Sequence, residues 1–166
     1  MRDHLDTIEE QWRGERPDLD VTPLVQLGRL FRAAALADAE LEQPGLQSGW
    51  FDLLAALRRS GRPYELHPTA LMHATMLSSG GITKRLDRLV EAGLVERRPD
   101  PADRRATLVR LTPSGRRVID RALERHVESE ERTLAALTRQ ERRQLDALLR
   151  KLLAELERRR APTATG

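Results

Sequence analysis

The chain has 166 residues, about a third of them charged, few aromatic, with a net charge of +3. That length suits one domain or one compact protomer, and the absence of cysteine excludes a disulfide framework, a thiolate metal site and any thiol redox switch. No apolar run is long enough to span a membrane, and the acidic, polar start MRDHLDTIEEQWRGERPD does not read as a signal peptide, so a cytoplasmic protein with no membrane contact is expected.

The first clear helix signal is Thr22 followed by Pro23, an N-cap and first-turn pair. Leu24, Leu27, Leu30, Phe31 and Ala34 mark its apolar face, and the helix is expected to reach about Glu42. A second helix starts near Ser48 with GWFDLLAALRR and stops at the Gly61 and Pro63 that follow. Within it Asp52 sits among Trp50, Phe51, Leu53 and Leu54, where a carboxylate needs either solvent or a partner. A third helix follows Pro68 through TALMHATM. A fourth runs through ITKRLDRLVEAG, with Ile82, Leu86, Leu89 and Val90 on one face, and Gly93 closes it.

The periodicity then changes to that of strands. LVERR and ATLVRL read as a short hairpin bridged by PDPADRR, whose prolines and aspartates suit a turn. Helix resumes at Thr112–Pro113. Another helix begins at TRQE, where Thr138 and Glu141 form a capping box. It carries Leu145, Leu148, Leu149, Leu152, Leu153 and Leu156 on one broad stripe. The tail, 161–166, is expected to be disordered.

Charge is unevenly spread along these elements. Residues 1–57 hold five basic and eleven acidic side chains, whereas residues 78–117 hold ten basic and five acidic ones. A basic middle points to a local anionic partner. Two closely spaced helices followed by a basic hairpin describe a winged helix-turn-helix in a mainly α chain. In that arrangement the second helix of the pair enters the DNA major groove. On that helix Lys84 points away from the buried side and Arg88 lies on the outer half, while Thr83 sits at the boundary. Ser78, Ser79 and Gly80 at its start are small enough to let a phosphate approach. Lys84 and Arg88 then meet phosphates or base edges. At the hairpin tip Arg104 and Arg105 are placed for a minor groove, with Asp103 as a brace or a turn residue. No nucleophile constellation or phosphate-binding glycine motif is present, and His67 and His73 make a poor metal pair. No catalytic residue, metal or cofactor is therefore expected.

The stretch SSGGITKRLDRLVEAGLVERRPDPADRRATLVRLTPSGR resembles the core of the MarR family of transcriptional regulators. The family's recognition helix, GLVER-like strand start, D-x-R wing and LTxxG helix start stand here in order and spacing, and the likeness extends from about Thr22 to Glu157. The resemblance implies a homodimer that binds a pseudo-palindromic double-stranded operator and acts as a repressor. Residues 21–47 and 112–160 would form its helical dimerisation region, and residues 48–111 its DNA-binding lobe. It also implies a small-molecule effector. An extra N-terminal helix within residues 1–20, carrying Trp12, is similar to that of the urate-responsive branch. Asp52, Arg85 and Arg97 stand where that branch places its aspartate and two arginines, whereas Lys84 replaces a small polar amide. Urate or a related anionic purine is the effector this implies.

The residues suit that chemistry. Arg85 falls at the flank of the buried helix face, so it looks back toward the protein body. A planar guanidinium matches a planar anion with two parallel hydrogen bonds, and the Trp12 ring offers a face for stacking. In the mechanism expected, a charge link from Asp52 to Arg97 or Arg85 sets the recognition-helix pose, and the ligand breaks it. Two other readings stay open: a MarR-type regulator of a phenolic or antibiotic ligand, and a DNA-binding protein with no effector.

Overall fold

The computed structural model describes residues 2–41, 46–47, 49–75, 81–103 and 105–160. The elements in order are α1 (His4–Glu15), α2 (Thr22–Glu40), α3 (Trp50–Arg59), β1 (Glu65–Leu66), α4 (Pro68–Ala74), α5 (Ile82–Glu91), β2 (Val95–Pro99), β3 (Thr107–Leu111), α6 (Pro113–Thr133) and α7 (Arg139–Arg160). This is a mainly helical winged helix-turn-helix architecture with a small antiparallel sheet, strand order β1-β3-β2. The chain divides into two compact units, residues 1–129 and 130–166.

In the first unit the core forms where α3, α4, α5 and α6 meet one face of the sheet. Leu53, Leu54 and Leu57 from α3 and Leu71 from α4 pack with Ile82, Leu86 and Leu89 from α5. Val95, Val109 and Leu111 from the sheet and Ile119 from α6 are part of the same core. Burying each such side chain contributes about 1.5–3 kcal/mol. Strand β3 lies in the middle of the sheet, with Val95 opposite Leu111 and Arg97 opposite Val109 on one side. On its other side Glu65 pairs with Arg110 and Leu66 with Val109. The β1 strand has no counterpart in the sequence reading, because its two residues between Pro63 and Pro68 are too few to show alternation.

The turn after α5 is a Schellman motif. Leu94 N–H donates to Leu89 O (3.0 Å) and Gly93 N–H to Val90 O (2.9 Å), with Gly93 at φ 67°. Thr112 then ties this turn to the next helix. Its hydroxyl donates to Gly93 O at 2.8 Å and accepts the Gly115 N–H at 2.9 Å. A Cβ on Gly115 would overlap the Leu94 carbonyl oxygen and lie 2.8 Å from its carbon. Only glycine lets α6 begin this close to the start of β2.

Several boundaries differ from expectation. Thr22 is the first residue of α2 rather than its cap; Asp20 Oδ1 accepts its N–H at 3.0 Å instead. Helix α4 ends at Ala74, where Thr75 is already extended. Val90 is half-exposed rather than in the core. The face of α2 marked by Leu24, Leu27 and Phe31 is left open, with Phe31 67% exposed, and Val25 alone is buried on that helix. Helix α1 docks on α2 instead. Gly28 leaves room for Leu5, and Arg29 bonds both Asp3 (2.8 Å) and Asp6. Asp3 also caps α1, accepting from Leu5 and Asp6 N–H through Oδ1.

In the second unit the turn before α7 is closed as the sequence indicates. Thr138 N–H donates to Glu141 Oε2 at 2.7 Å, and Glu141 N–H to Thr138 Oγ1 at 3.3 Å. Arg142 donates to the carbonyls of Leu134 and Leu137 and to Glu131. No described residue of α7 is buried, and its leucine stripe is open, with Leu148 67% and Leu153 55% exposed.

Candidate nucleic-acid interface and effector site

Helices α4 and α5 form the helix-turn-helix, and β2 and β3 form the wing. Ile82, Leu86 and Leu89 seat α5 in the core and so fix which side faces out. Lys84 and Arg88 are exposed on that outer side, as their spacing indicated, and Thr83, expected at the boundary, is exposed as well. The wing turn is built from backbone bonds: Asp100 N–H to Ala106 O at 3.1 Å and Ala106 N–H to Asp103 O at 2.9 Å. Asp103 Oδ1 accepts the Arg105 N–H at 2.9 Å, which gives Asp103 its turn role. Arg105 is exposed beside it. Ser78, Ser79, Gly80 and Arg104 lie outside the described residues, as does Ser48.

Two contacts hold the wing to the helix-turn-helix. Arg97 on β2 donates to Asp87 on α5 at 2.6 Å. His67 Nε2, just before α4, lies 3.1 Å from Asp100 Oδ2 at the wing base. Helices α4 and α5 and the wing are therefore fastened at two separate points. The sequence reading gave neither Asp87 nor His67 a role here. The pairing depends on how α5 lies across the sheet, and no spacing in the chain encodes that.

The proposed charge link takes a different form. Arg97 pairs with Asp87, not with Asp52. Among the described residues the Asp52 carboxylate meets no hydrogen-bond or ion-pair partner; it is half-buried in the first turn of α3, at the helix end where the macrodipole favours a carboxylate. That dipole, rather than an arginine, explains how a carboxylate is tolerated among apolar neighbours. Arg85 does approach this helix end. Its side chain lies against Gly49, the N-cap of α3, and Gly81, the N-cap of α5. Arg85 is half-buried and its stem turns back from the outer face, as the helical spacing indicated. The structure thus places Arg85 beside the helix end that carries Asp52. Trp12 stands on α1, 43% exposed, and the helix it belongs to packs on α2.

A further cluster lies across α3 and α6. Arg58 donates to Asp120 at 2.7 Å, and both Arg58 and Arg116 stack on the Tyr64 ring, at 5.0 and 5.6 Å from its centre. The Asp120 bond raises the Arg58 pKa above its ordinary value. The group fastens the β1 loop to the helices.

Known proteins share this architecture. The MarR family model matches residues 45–106. The HTH-type transcriptional regulator PecS of Dickeya dadantii (strain 3937) is 42% identical over 146 residues, covering 86% of this chain and 88% of its own. Sco3205, a MarR family regulator from Streptomyces coelicolor solved in complex with DNA, superposes with a TM-score of 0.72 over 87% of this chain and 91% of its own. At 23% identity that likeness is one of fold. BpsR of Bordetella bronchiseptica, whose DNA binding is regulated by 6-hydroxynicotinic acid, is 27% identical with a TM-score of 0.62, over 79% of this chain and 91% of its own. No helix among the described residues is long and apolar enough to cross a membrane. These relatives are transcriptional regulators rather than enzymes. With its basic recognition helix, two-point wing attachment and matching relatives, the chain belongs to the MarR family of winged helix-turn-helix transcriptional regulators.

Proposed function

We propose that this protein is a repressor that binds a pseudo-palindromic operator as a homodimer and leaves it when urate or a related planar anionic purine binds. Helix α5 enters the major groove with Thr83, Lys84 and Arg88 outward; Ser78, Ser79 and Gly80, which precede it in sequence, meet the phosphates, and the wing residues Asp103, Arg104 and Arg105 follow. Residues 48–111 read DNA; residues 21–47 and 112–160 dimerise, and residues 1–20 add the extra helix. The open apolar faces of α2, α6 and α7 support a second copy as their cover. Leu24, Leu27 and Phe31, then Leu123 and Val127, then the α7 leucines are too much exposed apolar surface for an isolated protomer.

The effector reading rests on one observation: a half-buried arginine of the recognition helix, Arg85, turned inward against the N-terminus of α3. A guanidinium in that position meets an anion and the recognition helix at once, so ligand binding and α5 pose are linked. Asp52 on α3 repels or orients the ligand's charge, and Trp12 and Arg97 complete the site. The regulation of BpsR by 6-hydroxynicotinic acid, another planar heteroaromatic acid, supports this chemical class.

The test uses DNA carrying the protein's own upstream intergenic region. Binding is followed by anisotropy while urate is titrated in. Urate releases the wild-type complex, Arg85→Ala no longer responds, and Asp52→Asn shifts the midpoint. Unaltered release in both variants refutes the site.

A further inference from the structure

The N-caps of α3 and α5 are both glycines with positive φ, 78° at Gly49 and 91° at Gly81, and neither helix has a side-chain cap. Serine, threonine, aspartate or asparagine would ordinarily satisfy a first-turn N–H at such a position. The chain forgoes that at both helices, and one side chain lies against both glycines. A Cβ on Gly49 would stand 2.8 Å from Arg85 Nε, 3.1 Å from its Cδ and 3.4 Å from its Cζ. A Cβ on Gly81 would stand 3.2 Å from Arg85 Nη1. Gly61 and Gly93 share the positive φ, yet a Cβ on either would meet nothing within 4 Å.

We infer that Gly49, with Gly81 as the second wall, is a positioning residue for Arg85: the two missing side chains form a slot that holds the guanidinium in one place. Its effect on ligand binding rests on the reading above, in which Arg85 receives the effector. An arginine side chain has many rotamers, and bidentate capture of a planar anion uses one of them. A slot that restricts the stem beforehand removes that ordering from the binding step. The first contact atoms are those of the stem's end, Nε and Cδ, so a methyl group at residue 49 moves the guanidinium rather than the backbone. The positive φ by itself favours glycine at both N-caps; what sets these two apart from Gly61 and Gly93 is the arginine lying against them.

The experiment is a calorimetric titration of the full chain with urate, without DNA, on Gly49→Ala, Gly61→Ala, Arg85→Ala and the Gly49→Ala/Arg85→Ala double variant. Gly61→Ala introduces the same left-handed backbone strain with no neighbour to strike. Gly49→Ala is expected to weaken urate binding about tenfold relative to Gly61→Ala, and to add less than about twofold when Arg85 is already alanine. The inference is overturned if Gly49→Ala matches Gly61→Ala, or if its loss persists in full in the Arg85→Ala background. If the wild type does not bind urate, or Arg85→Ala binds it unchanged, the effector reading fails and the slot is decided by melting temperatures of the same four variants. Non-additive losses from Gly49→Ala and Arg85→Ala uphold it, and additive losses overturn it.

Discussion

Replacing Gly115 by alanine tests the junction on which the reading head is built. The added methyl group overlaps the Leu94 carbonyl oxygen and stands 2.8 Å from its carbon and 3.2 Å from Leu111 Cδ2. Neither backbone atom can swing aside like the end of a side chain. The same carbonyl accepts the Thr112 N–H at 3.1 Å, so it is held from both sides. The strain therefore reaches the turn after α5, the start of β2 and the first turn of α6 together. Overpacking of this kind costs about 3 kcal/mol, at the upper end of its usual range. For a chain of this length that lowers the melting temperature by about 6–12 °C. Thermal unfolding followed by circular dichroism, at fixed protein concentration, measures it. Gly14→Ala is the control, since a Cβ there meets nothing within 4 Å and lies within a helix. It is expected to leave stability unchanged or raise it by about 0.5 kcal/mol. A Gly115→Ala protein melting within about 2 °C of the wild type refutes the close approach of α6 to β2.

Three further outcomes are expected. Lys84→Ala or Arg88→Ala removes one phosphate contact per protomer, two per operator-bound dimer, and flattens the dependence of log K on log salt by about 1.8; an unchanged slope places that residue off the DNA. Leu148→Glu with Leu153→Glu puts charge on the α7 stripe and is expected to halve the mass seen by light scattering, whereas a persisting dimer moves the interface elsewhere. Arg29 beside Asp3 holds its carboxyl below the ordinary 3.8. The unfolded form therefore binds that proton more readily, so the α1 contact contributes stability above pH 3.8 and loses it as pH falls through the lower folded value. Tryptophan emission during acid titration is expected to show that step in the wild type and not in Arg29→Ala; identical profiles refute it.

The elements that local chemistry determines were legible from the sequence. The capping box of Thr138 and Glu141, the Gly93 stop and the seating of α5 by Ile82, Leu86 and Leu89 each depend on residues within one or two turns. Where the answer lies across the fold, spacing was silent. Periodicity showed that α2 has an apolar face but could not show that Leu24, Leu27 and Phe31 on it stay exposed. Asp52 looked like a charge in need of an arginine, yet its place in a first helical turn meets that need differently. Arg97 was rightly placed on the first wing strand, but its partner, Asp87, is set by the packing of α5 against β2. The inward turn of Arg85 was legible from its angle on the helix. The two glycines that receive it were not, because a missing side chain leaves no pattern.

One carboxylate at the start of the chain has a consequence for dynamics. Asp3 caps α1 with Oδ1 and takes the Arg29 guanidinium with Oδ2. A twelve-residue helix is marginal by itself, and its first turn is the costly one. The group that nucleates α1 is thus the group that anchors it to α2, so forming the helix and docking it are a single cooperative event. In native-state hydrogen exchange, the amides of α1 are expected to open together as one unit, at a free energy below that of the core, and to lose their protection together when Arg29 is removed.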